Sequence, residues 1–144
     1  MIRAVICDDE DAALKIITYS IENQGIPIEI VGTASDGKEA LALIKKENPN
    51  LVFLDIEMPG MNGFDVVEKL NAVNCKVIII TAYSTFSYAQ RALRLGVSDI
   101  IEKPIDTDTL KEAIQRAIGW EFTGNEALNK ALFYIHTHYW EKIE

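Results

Sequence analysis

Residues 51–63 read LVFLDIEMPGMNG, and this stretch decides the fold. Leu51–Leu54 is a short apolar run of the kind that fills a strand buried on both faces. A single carboxylate, Asp55, closes it. Met58-Pro59-Gly60-Met61-Asn62-Gly63 then supplies two glycines and a proline, which suits a backbone folded around a bound ion just beyond an acid. The pattern repeats outward in both directions. Ile2–Cys7, Ile28–Thr33, Val77–Ile80 and Ile100–Ile101 are equally short runs rich in Val and Ile, so five buried strands are predicted. Between them, Leu14/Ile17/Ile21, Leu41/Ile44, Phe64/Val67/Leu70 and Ala89/Ala92/Leu93 recur three or four residues apart, giving each intervening helix one apolar stripe. Leu110/Ile114/Ile118 continue the series after the fifth strand. Ser35-Asp36-Gly37 opens the second helix, Asn48-Pro49-Asn50 closes it, and Gly96 sits where the fourth should stop. Repeated βα units with right-handed crossovers predict an α/β fold: a (βα)5 doubly wound parallel five-stranded sheet with helices on both faces.

A chain of 144 residues with 49% hydrophobic and 25% charged side chains has room for one core and a short appendage. Its formal charge of −8, from 14 basic against 22 acidic residues, opposes a surface built to neutralise nucleic-acid phosphates. No apolar run approaches the roughly 18 residues of a membrane span, and Met1–Arg3 leads into the first strand without a signal-peptide pattern, so no membrane partner and a cytoplasmic location are expected. Cys7 and Cys75, with no Cys-x-x-Cys spacing, read as packing residues.

After Ile118 the helical period breaks at Gly119-Trp120-Glu121-Phe122-Thr123-Gly124-Asn125. Leu128, Ala131, Leu132, Ile135 and Tyr139 then form a further stripe, predicting a C-terminal amphipathic helix from about Glu126 to Lys142. It has no partner within its own segment, and must pack on the main domain, pair with another copy, or belong to a second domain.

Ligands of doubly wound sheets bind beyond the carboxyl ends of the strands, so the polar residues there carry the chemistry. They are Asp8 and Asp9 after strand one, Asp55 at the end of strand three, Thr81 at the end of strand four and Lys103 after strand five. A common order for this architecture makes strands one and three neighbours, which gathers three carboxylates in one crevice. Such a cluster is unfavourable unless its acids hold their protons or a cation neutralises it, and Mg2+, a hard ion that takes oxygen ligands, is the simpler answer. A nucleophilic carboxylate, a metal, a lysine and a hydroxyl around one point make a constellation for phosphoryl transfer. Asp55, alone at its strand end, looks most like the nucleophile, while the adjacent Asp8 and Asp9 suit the ion. Read singly, each has a duller explanation: an Asp pair at a strand end is usually a helix N-cap, and a lysine is usually a solvated surface charge.

Asp8-Asp9, Asp55 with Glu57-Met58-Pro59-Gly60-Met61-Asn62-Gly63, Thr81-Ala82 and Lys103-Pro104 resemble the response-regulator receiver domain of two-component systems, in the right order on the right elements. The resemblance covers about residues 1–121 and implies a flavodoxin-like sheet. It implies that Asp55 accepts a phosphoryl group from a sensor histidine kinase, and that Mg2+ is held by Asp8, Asp9, Asp55 and the backbone carbonyl of Glu57. Thr81 and Lys103 would contact the phosphoryl oxygens and shift the face formed by helix four, strand five and helix five. The chain would catalyse only its own phosphorylation and dephosphorylation. Lys103-Pro104 is cis in that family, and Glu57 and Tyr83 occupy positions that tune the lifetime of the acyl phosphate. One position departs: the Tyr or Phe usual three residues before the lysine is here Ile100. Tyr83, Phe86 and Tyr88 are the nearby aromatics that could replace it.

Ala127-Leu128 through Tyr139 is similar to the first helix of an AraC-type helix-turn-helix domain, and Ser84–Gln90 with Gly96–Asp99 resembles receivers of the YesN-like group. Residues 122–144 would thus be a linker and the opening helix of a truncated output domain, with DNA bound only through the missing part and dimerisation as one response. Two other classes are weaker. A magnesium-dependent aspartyl-phosphate hydrolase lacks its Asp-x-Asp-x-Thr signature, since Asp55-Ile56-Glu57 runs on into Met58-Pro59. A nucleotide or flavin module lacks Gly-x-Gly-x-x-Gly and any Walker lysine loop.

Overall fold

The computed structural model describes residues 1–70, 75–82 and 85–118. Strands and helices alternate as β1 (Ile2–Cys7), α1 (Asp11–Asn23), β2 (Ile28–Ala34), α2 (Gly37–Glu47), β3 (Leu51–Asp55), α3 (Gly63–Lys69), β4 (Lys76–Thr81), α4 (Phe86–Arg94), β5 (Asp99–Glu102) and α5 (Thr107–Ile118). The strands pair in parallel in the order β2-β1-β3-β4-β5.

Side chains alternate across a strand, so each central strand feeds two apolar layers. Ile2, Ala4, Ile6, Leu51, Phe53, Ile78 and Ile80 meet Ile17 and Ile21 of α1 and Leu110 and Ile114 of α5 on one face. Val5, Cys7, Val52, Leu54, Val77 and Ile79 meet Ala40 and Ile44 of α2, Phe64 and Val67 of α3, and Ala92 of α4 on the other. The Cys7 thiol lies inside this second layer, where burial, then the charges of Glu39 and Asp8 and the neighbouring Cys75, push it up to about 12. It stays protonated and packs as an apolar group.

Two sequence expectations need correction. Burial on both faces holds for β1, β3 and β4 but not for β2 and β5. These are the sheet edges, where Glu29 and Thr33 are exposed and, within β5, Ile101 alone is buried. In the α4 stripe Ala92 is buried as expected, but Leu93 is not. Leu93 is 76% exposed and Phe86 79% exposed, while Ala92 is buried with Tyr88 and Leu95 half-buried beside it. Tyr88, Ala92 and Leu95 lie at i, i+4 and i+7 on one face, and Leu93, turned about 100° from Ala92, falls outside it.

The end caps fall where expected. Asp36 Oδ1 accepts from the Glu39 amide at 2.8 Å, Asn48 turns left-handed at φ 47°, and Gly96 follows at φ +77°. Among the described residues no helix is long and apolar enough to cross a membrane. Tyr83 and the whole 122–144 segment, with its expected helix, lie outside the described residues.

Candidate functional site

β1 and β3 lie side by side with Cys7 opposite Leu54, so the residue after β1 and the last residue of β3 emerge together. Asp8 and Asp55 are each 2% exposed, whereas Asp9 and Glu10 stand exposed at the mouth. Carboxylate oxygens of Asp8, Asp9, Glu10 and Asp55 all lie within 4.8 Å of one another. The duller reading of the acidic pair fails, because the N-cap of α1 is Glu10 and no side chain caps it. Asp8 Oδ1 instead accepts from the Glu10 amide at 2.9 Å, which fixes the carboxylate at the crevice floor.

Lys103 enters from beyond β5. Its Nζ lies 3.0 Å from Asp8 Oδ2, 3.4 Å from Asp55 Oδ2 and 2.6 Å from Glu10 Oε1. The lysine backbone is tied to β4, its amide donating to the Thr81 carbonyl at 2.8 Å, and Thr81 itself is fully buried. The Lys103-Pro104 bond is cis, as the resemblance implied. Burial acts to deprotonate the Lys103 ammonium, but hydrogen bonds to Glu10 and Asp8 and the charges of Asp55 and Asp8 outweigh it, so the group stays protonated.

Asp55 is pushed up to about 6 from an ordinary 3.8. Burial is the larger cause and the Asp8 charge the next, while the Lys103 charge, the Glu57 amide and the Lys103 hydrogen bond pull the other way. The Glu57 amide donates to Asp55 Oδ1 at 3.2 Å. The loop beyond is set by glycine: a Cβ on Gly63 would stand 2.5 Å from the Asp55 carbonyl oxygen and 2.9 Å from the Ile56 Cα. Its amide donates to the Ile56 carbonyl at 3.0 Å, closing the loop, and Asn62 and Asp65 form a reciprocal capping box that starts α3 there.

Four carboxylates face one ammonium, so the crevice is short of positive charge. Ligands on opposite sides of a hard divalent ion, bonded at about 2.1–2.5 Å, are about 4–5 Å apart. Oxygens within 4.8 Å of one another therefore match the spacing of such an ion's ligands. The fold thus gathers Asp8, Asp9, Asp55 and Lys103, and places Thr81 at the neighbouring strand end. Ile100 is half-buried in the layer beneath α4, and Glu57 lies exposed at the rim. Glu10 is an addition the sequence reading missed. Its signal was present, since it belongs to the unbroken run of four acids, Asp8 to Asp11, that follows β1.

Over residues 4–115 the sequence matches the response regulator receiver domain. The chain belongs to this family. Several known proteins resemble it. The transcriptional regulatory protein HptR of Staphylococcus aureus is 35% identical over 118 residues, 82% of this chain and 47% of that protein. The REC domain of AraT, a response regulator from Geobacillus stearothermophilus, shares 36% identity at a TM-score of 0.73, covering 81% of this chain and 92% of that one. The CheX–CheY–BeF3–Mg2+ complex from Borrelia burgdorferi gives a TM-score of 0.72 at 28% identity, covering 79% and 87%. This receiver chain spans about half the length of the curated relatives it matches. Its sheet has the flavodoxin-like order of the receiver fold, and its acidic crevice lies at the strand ends where that fold carries its chemistry.

Proposed function

We infer that the chain is the phosphoacceptor module of a two-component response regulator, with Asp55 as the residue that takes a phosphoryl group from a phosphohistidine of a sensor histidine kinase. One observation carries the reading: a buried carboxylate at the end of β3 sits within ion-bridging distance of three other carboxylates and against the lysine that follows β5. Asp55 Oδ attacks phosphorus, the P–N bond to histidine breaks, and the electron pair leaves with the imidazole. Lys103 offsets charge on the transferred oxygens, and the hydroxyl of Thr81, the last residue of the adjacent strand, donates to one of them. Asp8, Asp9, Asp55 and the Glu57 carbonyl would hold Mg2+, which supplies charge neutralisation for the incoming phosphoryl group. Glu10 orients Lys103 at the mouth. The chain catalyses its own phosphorylation and dephosphorylation and turns over no other substrate.

The domain organisation follows the same reading. Residues 1–121 form the receiver, and 122–144 lead into an AraC-type DNA-binding domain in a longer cytoplasmic regulator that dimerises or releases that domain when phosphorylated. The transcriptional role of HptR, about twice as long as the matched region, supports this.

Intact-mass measurement after incubation with acetyl phosphate tests the chemistry. A single phosphoryl adduct is expected that needs magnesium and disappears in Asp55→Asn. A folded, magnesium-binding wild type that forms no adduct and takes no beryllofluoride would refute it.

A further inference from the structure

Ile100 stands where the resemblance calls for an aromatic residue, half-buried in the layer against α4. A different aromatic contact leads out of the crevice. Tyr88, in the first turn of α4, donates its hydroxyl to Glu57 Oε1 at 3.1 Å. The Glu57 amide in turn donates to Asp55 Oδ1. Two hydrogen bonds and one residue thus connect the Asp55 carboxylate to α4.

The tyrosine is held at both ends. Its ring meets Phe64 edge-on, centroids 5.3 Å apart at 85°, and the Arg91 guanidinium covers the Phe64 ring at 4.6 Å. Arg91 also reaches Glu68 of α3 at 3.1 Å. Phe64 is buried and follows Gly63, the residue that lies against the Asp55 carbonyl. Thr85 Oγ1 accepts from the Tyr88 amide at 3.2 Å and fixes the start of the helix. A hydroxyl–carboxylate bond at the surface adds little to folding, yet it is directional and charge-assisted, so it forms or breaks as one event when the loop moves.

We propose that Tyr88 is a positioning residue that ties the Glu57 loop to α4 and passes a displacement of that loop into the helix. This rests on Asp55 being the phosphoacceptor, because occupancy there is what displaces the loop. The bistable element is α4, and the hydrogen bond is the contact through which the site biases it.

Backbone amide NMR of the full chain, with and without magnesium and beryllofluoride, tests the link in wild type, Tyr88→Phe, Glu57→Ala and the double variant. In wild type, both Glu57 and the α4 amides Ala89 and Ala92 should shift. Tyr88→Phe keeps the ring and its Phe64 contact, so beryllofluoride should saturate the crevice at the wild-type concentration while the α4 shifts fall by about half or more. The double variant should lose no more of the α4 response than Glu57→Ala alone. Full α4 shifts in Tyr88→Phe, or additive losses in the double variant, would overturn the proposal. Absence of any shift at Glu57 in wild type would instead refute the phosphoacceptor reading, and the link would fall with it.

Discussion

Replacing Asp55 with asparagine should make the magnesium-free protein more stable, although it removes the residue assigned the central chemical role. The carboxyl moves from 3.8 in the unfolded chain to about 6 in the fold, chiefly through burial and the Asp8 charge. A rise of about 2 in pKa at about 1.4 kcal/mol each makes the ionised form cost about 3 kcal/mol in the folded state. The sign follows from proton binding. The folded chain holds the proton more tightly, so stability is full below about 4 and is lost as the pH rises through about 6. Asparagine keeps the shape and one acceptor but gives up attraction to Lys103, so the net gain should be about 1–3 kcal/mol above pH 7. For a domain of this size that is about 3–10 °C in Tm. Thermal melts of both proteins in chelator at pH 5 and pH 8 would measure it, with the larger gap at pH 8. Saturating magnesium should narrow the gap, because the ion binds the folded wild type and compensates the same charge. A variant no more stable than wild type in chelator at pH 8, or a gain independent of pH, would refute the electrostatic account of the crevice.

Gly63→Ala should destabilise by about 2 kcal/mol or more and weaken magnesium binding, since its Cβ would meet the Asp55 backbone, whereas Gly60→Ala, with open space at φ +76°, should cost about 1 kcal/mol. Calorimetric titration with magnesium beside denaturant melts separates the two effects. Lys103→Met should cost about 1–3 kcal/mol in chelator at pH 8 by leaving Asp8 and Asp55 without their cation, and magnesium should then stabilise the variant more than it stabilises wild type. Urea titrations of Leu93→Ser should stay within about 0.5 kcal/mol of wild type, against a loss of about 2–4 kcal/mol for Ile44→Ala in the buried face of α2.

The elements of the fold were legible because each carries a local signature. The run from Ile2 to Cys7 coincides with β1, and the Asp36 cap and the Gly96 stop are residue types chosen by backbone geometry alone. What a strand faces is not local. The Val and Ile content of β2 resembles that of β1, and only the order of strands makes one an edge and the other a centre. In α4 two consecutive apolar residues, Ala92 and Leu93, competed for the core, and the face shared with Tyr88 and Leu95 took Ala92. Asp8, Asp9, Asp55 and Lys103 could be placed because every one terminates or follows a strand. The Tyr88–Glu57 contact could not, since it joins surface positions 31 residues apart through side-chain geometry that no spacing encodes.

The strand order β2-β1-β3-β4-β5 also bears on what a shortened chain would lack. Past β3, strands β4 and β5 extend one edge of the sheet in chain order. A chain that stops short of Lys103 carries Asp8 and Asp55 without the cation that faces them. The segment that brings this lysine also pairs β5 on β4, so completion of the site and covering of the β4 edge come together. Pulse proteolysis of chains stopped at residue 98 should then show protection that rises steeply with added magnesium, the ion standing in for the lysine they lack.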